Sequence, residues 1–141
     1  MHSQNPVVHF EMPADDLERM KKFYGDAFGW TANQLGSDYG NYAVMMTSET
    51  GPDNFPTEKG RINGGFFPRT QTDQTQRVVI AVDDIRESMK AVEAAGGKIL
   101  GGSHQAGEPD DIPGVGLYCS FIDTEGNHVA MMQPKSMAPQ A

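Results

Sequence analysis

The chain has 141 residues, 38% hydrophobic and 21% charged, a length and balance suited to one soluble domain or two small, mutually dependent units. Its formal net charge of −8, with Lys and Arg scattered rather than clustered, argues against a nucleic-acid partner, because an acidic surface repels phosphate backbones. Cys119 is the only cysteine, which excludes an internal disulfide and a cysteine-rich zinc site; the apolar runs are strand-sized and the first residues lack a basic and an apolar signal region, so a reducing, cytoplasmic setting with no membrane partner is expected.

The first strand signal is Val7-Val8-His9-Phe10-Glu11-Met12, in which apolar Val8, Phe10 and Met12 alternate with Val7, His9 and Glu11. A helix follows, because Leu17, Met20, Phe23, Tyr24, Ala27 and Phe28 recur at helical spacing. Asp15 is its expected N-cap, with Glu18 completing a capping box, and Gly29 is its stop. Strands are expected near Thr31–Gln34 and Tyr42–Thr47, then a long loop over 48–59, then a glycine turn and strand over Gly60–Phe67 closed by Pro68.

Residues 69–76 are polar throughout and read as a linker. Beyond it the order repeats. Val78-Val79-Ile80-Ala81-Val82 is a strand signal; Asp83-Asp84-Ile85 falls on Asp15-Asp16-Leu17; and Ile85, Met89, Val92 and Ala95 mark a second helix, capped by Asp83 and stopped at Gly96-Gly97. Further strands are expected near Lys98–Leu100 and Gly116–Ile122, separated by a long loop over 101–114. Gly126-Asn127-His128-Val129-Ala130-Met131-Met132-Gln133-Pro134 then repeats the glycine turn, strand and proline of the first half.

Two stretches carry a family resemblance. One is Val7-Val8-His9-Phe10-Glu11-Met12-Pro13-Ala14-Asp15-Asp16-Leu17 with Phe23-Tyr24 and Phe28-Gly29-Trp30. The other is Val79-Ile80-Ala81-Val82-Asp83-Asp84-Ile85 with Ala94-Ala95-Gly96-Gly97 and Phe121-Ile122-Asp123-Thr124-Glu125-Gly126-Asn127. Together they resemble the vicinal oxygen chelate superfamily, the glyoxalase, bleomycin-resistance and extradiol-dioxygenase group. The resemblance implies an α+β fold of two tandem βαβββ modules related by a pseudo-two-fold, with curved mixed sheets around a central cavity and helices outside. It places a single domain over residues 6–134, with module one at 6–68, the linker at 69–76 and module two at 77–134, leaving 135–141 as a disordered tail. This superfold hosts several unrelated chemistries, so the resemblance is more specific for fold than for activity.

In metal-dependent members four strand positions supply His and Glu ligands. The resemblance and the internal repeat put these positions at His9, Gly64, Arg77 and Ala130, of which only His9 carries a ligand atom. Glycine and alanine have none, and Arg77 is a permanent cation. No metal is therefore expected at the family site and no cofactor is implied. The alternative is a relocated divalent Zn, Ni, Fe or Mn held by His9, Glu11 and His128. Without it, His9, Glu11, Arg77, Phe66, Met132 and Tyr42 are the candidate ligand-binding residues, with His9 and Glu11 the candidates for proton transfer. Against this stands a purely structural reading, in which Glu11 and Arg77 form an ion pair. The functional expectation is a protein that binds a small, partly apolar or anionic molecule. The alternative is a metal-dependent lyase or isomerase of the lactoylglutathione lyase kind, or a dioxygenase. A homodimer is expected, since open sheets leave edges that pairing covers.

Overall fold

The computed structural model describes residues 4–113 and 115–135. They fall into two compact units, one of residues 9–77 and one of residues 78–135 together with the N-terminal stretch through Val8. Both are mixed β-sheet with one helix, giving the expected α+β order of strand, helix and further strands twice over.

The first unit contains most of β1 (Val7–Ala14), then α1 (Leu17–Phe28), β2 (Thr31–Gln34), β3 (Ala43–Met46) and β4 (Asn63–Pro68), with a short 3-10 turn at Ser37–Tyr39. The strands lie in the order β2-β3-β4-β1. β2, β3 and β4 are antiparallel neighbours, whereas β4 runs parallel to β1, with Glu11 opposite Gly65. Phe10 and Met12 of β1 turn to one side, where they meet Ala43, Met45 and Phe66 and the apolar stripe Leu17, Met20 and Tyr24 of α1. Trp30 stacks on Tyr24 with ring centroids 4.7 Å apart. The alternation of β1 thus sends one set of side chains to the helix and leaves His9 and Glu11 on the other face.

The N-cap of α1 is Asp16, one residue later than expected, and its carboxylate accepts the N–H of Arg19. β1 runs on to Ala14, and Asp15 turns instead to Arg69, whose Nε lies 2.8 Å from its carboxylate. Asp84 rather than Asp83 caps the second helix in the same manner. Gly29 closes α1 in the left-handed conformation, φ +75°, as its sequence position implied. The segment expected to be a linker is held to the first unit. Arg69 donates its backbone N–H to the Ala14 carbonyl, and Gln74 accepts the N–H groups of Thr70 and Gln71 through its side chain.

The second unit contains β5 (Arg77–Ala81, from Val78 on), α2 (Ile85–Ala94), β6 (Lys98–Gly101), β7 (Asp110–Ile112), β8 (Gly116–Ile122) and β9 (His128–Pro134). β5 is parallel to β9, β9 antiparallel to β8, and both β6 and β7 pair antiparallel with β8. Val82, Ile85, Cys119 and Met131 form its buried centre, with Met89 and Val92 of α2 against them. The Ala81 N–H is donated to the Pro6 carbonyl, so the start of the chain belongs to this unit rather than to module one. β7 lies inside 101–114, a stretch expected to be loop throughout. Of the expected tail, Lys135 donates its N–H to the Val115 carbonyl, while residues 136–141 lie outside the described residues. Among the described residues no helix is long and apolar enough to cross a membrane.

Candidate functional site

The sheet face of the first unit turned away from α1 carries the polar residues singled out by the alternation of β1. His9 projects from β1, and its Nε2 lies 2.9 Å from the hydroxyl of Tyr42. Tyr42 is set just ahead of β3 by two backbone bonds, its carbonyl accepting from Leu35 and its N–H donated to Tyr39. His9 is half-exposed by surface but crowded by neighbouring atoms; this desolvation holds its pKa below the ordinary histidine value, and the charge of Glu11 opposes the effect without reversing it. The imidazole is accordingly neutral at pH 7.

Glu11 is 6% exposed, one of two buried polar residues among those described. Its Oε1 lies 3.1 Å from Nε of Arg77, whose guanidinium also sits over the ring of Phe67, 4.6 Å from the centroid. An arginine pinned between a carboxylate and an aromatic face is held by charge and by the ring quadrupole together. Asn63, the other buried polar residue, accepts the Thr47 N–H and donates to the Thr50 hydroxyl, anchoring the start of the 48–59 loop beside this face.

Two expected placements are corrected. The family-ligand position on β4 was assigned to Gly64, but a Cβ built on Gly64 would run into the ring of Phe10, on the helix side. The β4 residue that shares the face of His9 and Glu11 is Gly65, whose Cβ would run into the phenol of Tyr42. Phe66, expected to line a cavity by parity with Gly64, is 0% exposed in the α1 core, with its ring 5.5 Å from that of Tyr24. Phe67 takes the place assigned to Phe66. Neither Phe67 nor Asn63 was singled out by sequence, because the adjacent Phe66 and Phe67 are equally apolar and their types do not show which faces the core.

The remaining candidates lie in the second unit. Met132 sits opposite Tyr118 on β8 and Ala81 on β5, and Ala130 opposite Ser120 and Val79, on the face away from α2; His128 shares that face by strand alternation. Met131 and Cys119, on the other face, are core, and burial pushes the Cys119 thiol pKa up. A surface cavity of about 380 Å³ opens on the first unit between Pro13, Asp16, Met20, Phe23 and Arg69, and none of the candidate binding residues lines it.

The metal-dependent chemistry implied by the fold places a demand on this donor set that it does not meet. In the first unit β1 presents His9 and Glu11 on this face; Glu11 is engaged by Arg77, and Gly65 opposite it offers no ligand atom. Among the described residues, no three His, Cys, Asp or Glu side chains group to hold an ion.

A sequence model of the family described as bleomycin resistance protein-like, N-terminal, matches residues 7–48. A glyoxylase-like domain-containing protein of Didymella fabae is 32% identical over 135 residues, which cover 95% of this chain and 97% of that protein. A probable chloroplastic lactoylglutathione lyase of Arabidopsis thaliana is 27% identical over 124 residues, 86% of this chain but 33% of that protein. Among solved structures, a Streptomyces coelicolor methylmalonyl-CoA epimerase in complex with 2-nitronate-propionyl-CoA superposes with TM-score 0.69 at 12% identity, over 95% of this chain and 100% of that one. A hypothetical protein from Bacillus halodurans superposes with TM-score 0.66 at 11% identity, over 98% and 100%. At such identities the structures establish the fold alone, but the likeness in sequence extends over nearly the whole chain: it belongs to the vicinal oxygen chelate superfamily, within its glyoxalase and bleomycin-resistance-like group.

Proposed function

We propose that this chain binds a small, partly apolar or anionic molecule on the face that carries His9, Tyr42, Glu11 and Arg77, and that it does so without the metal of its catalytic relatives. The observation that carries the reading is the state of the two ionisable residues of β1. Each is engaged by a partner within the protein, Tyr42 for His9 and Arg77 for Glu11, and among the described residues no three His, Cys, Asp or Glu side chains group to hold an ion. A face of this kind offers a neutral imidazole, a phenol, a guanidinium and the Phe67 ring, which suit hydrogen bonding and stacking. The setting proposed is cytoplasmic, the assembly a homodimer, and the partner a small molecule rather than nucleic acid or membrane.

A second reading is favoured by the resemblance to the Arabidopsis lactoylglutathione lyase. It is a lyase or isomerase, or a dioxygenase, with a relocated divalent Zn, Ni, Fe or Mn that uses His9. Elemental analysis after gentle purification, paired with a thermal-shift screen of small aromatic and anionic compounds, separates the two. The binding reading expects stabilising compounds that act equally with and without chelator. Stoichiometric metal that is lost on His9→Ala would overturn it.

A further inference from the structure

We propose that Tyr42 is the positioning residue of His9, and that Gly65 is the feature of the sheet that allows it. The inference rests on reading this face as a ligand site. It says how the imidazole is presented there.

The strand order makes the contact unusual. β4 lies between β3 and β1, so Tyr42, just ahead of β3, and His9, on β1, are separated by two inter-strand spacings, about 10 Å. For the phenol to reach the imidazole it must cross β4, and any β4 side chain in its path would block it. Gly65 is the residue in that path. It lies opposite Glu11 on β1 and Val44 on β3, and a Cβ built there would overlap Oη, Cζ and Cε1 of Tyr42. The Tyr42 backbone is tied on both sides through Leu35 and Tyr39, so an added Cβ is accommodated by swinging the phenol out of its place against His9. Gly65 has no left-handed backbone to explain it. Its requirement is space, and the space is filled by Tyr42.

The consequence concerns orientation. One ring nitrogen of His9 is committed to the phenol, so the imidazole cannot turn freely about its second torsion. The fixed phenol–imidazole pair then meets a ligand as one unit.

The test is an NMR titration of the His9 imidazole, its resonance identified by its loss in His9→Gln. Tyr42→Phe keeps the ring and removes only the hydroxyl; it is expected to move the His9 titration midpoint by about 0.3–1 pH unit. Gly65→Ala is expected to reproduce that change by displacing the phenol, and the two substitutions combined to add nothing further. If Gly65→Ala does not fold, Gly65→Ala with Tyr42→Ala is expected to restore folding by removing the overlap. A His9 titration unchanged in Tyr42→Phe overturns the positioning role. Gly65→Ala that behaves as wild type, or a double variant as unfolded as the single one, overturns the role of Gly65. The titration needs no ligand, so a failed compound screen would count against the binding reading and leave this inference standing.

Discussion

Arg77 closes the first unit by reaching back to its first strand, placing Nε 3.1 Å from Oε1 of Glu11 while its guanidinium covers Phe67. The two side chains are 13% and 8% exposed, so the pair is largely withdrawn from bulk water. Arg77→Leu removes the cation and leaves a buried carboxylate, a change that typically costs about 3–5 kcal/mol. Urea denaturation of Arg77→Leu is expected to show a loss of that size. Glu11→Leu with Arg77→Leu should recover most of it, since a pair replaced by apolar groups leaves no stranded charge. A single variant within about 1 kcal/mol of wild type would mean the pair is solvated, against the burial described above.

His9 supplies a pH dependence whose sign is set by burial. Its folded pKa lies below its unfolded value near 6.5, so the unfolded state takes up a proton first as pH falls. The stability attached to neutral His9 is therefore complete above about pH 6.5 and is lost as pH drops through that value towards the folded pKa. The slope is at most about 1.4 kcal/mol per pH unit. Melting temperatures from pH 8 to pH 5 should fall more steeply for wild type than for His9→Gln. Parallel curves would show that His9 is not desolvated.

Phe66 and Met132 are expected to separate by stability. Phe66 is wholly buried against Tyr24 and Trp30, and Phe66→Ala should cost about 3–5 kcal/mol through lost transfer energy and the cavity left behind. Met132 is half-buried on the face away from α2, so Met132→Ala should cost less. Equal destabilisation by the two would contradict this division.

Asp110 organises the first part of the 101–114 segment. It accepts the N–H groups of Ser103 and His104, the Ser103 hydroxyl and, at 2.9 Å, Nδ1 of His104. Burial pushes its carboxyl pKa up, but these hydrogen bonds outweigh that and hold it below the ordinary value. Its contribution is thus present above the unfolded aspartate pKa near 3.9 and lost as pH falls through the folded value. Asp110→Ala should raise hydrogen exchange at the Ser103 and His104 amides at pH 7 while leaving β8 and β9 protected. Unchanged exchange at those two amides would remove Asp110 from this role.

Much of this protein is decided by local pattern. The alternation of Val8, Phe10 and Met12 against His9 and Glu11 assigns the two faces of β1, and the helical recurrence from Leu17 to Phe28 with a glycine stop defines α1. The duplication of that order marks the superfamily, because such periods depend only on residue type and spacing. Local pattern alone could not tell which of two adjacent glycines faces the site. Gly64 and Gly65 have no side chain to reveal their parity, and only the register of β4 against β1 and β3 settles it for Gly65. Nor did it disclose β7, a three-residue strand in a polar segment that exists because β8 offers it an edge. The pairing of His9 with Tyr42 was equally out of reach. The two residues are 33 positions apart in the chain, and they meet only because the sheet sets β4 between β3 and β1 and gives it no side chain at the crossing.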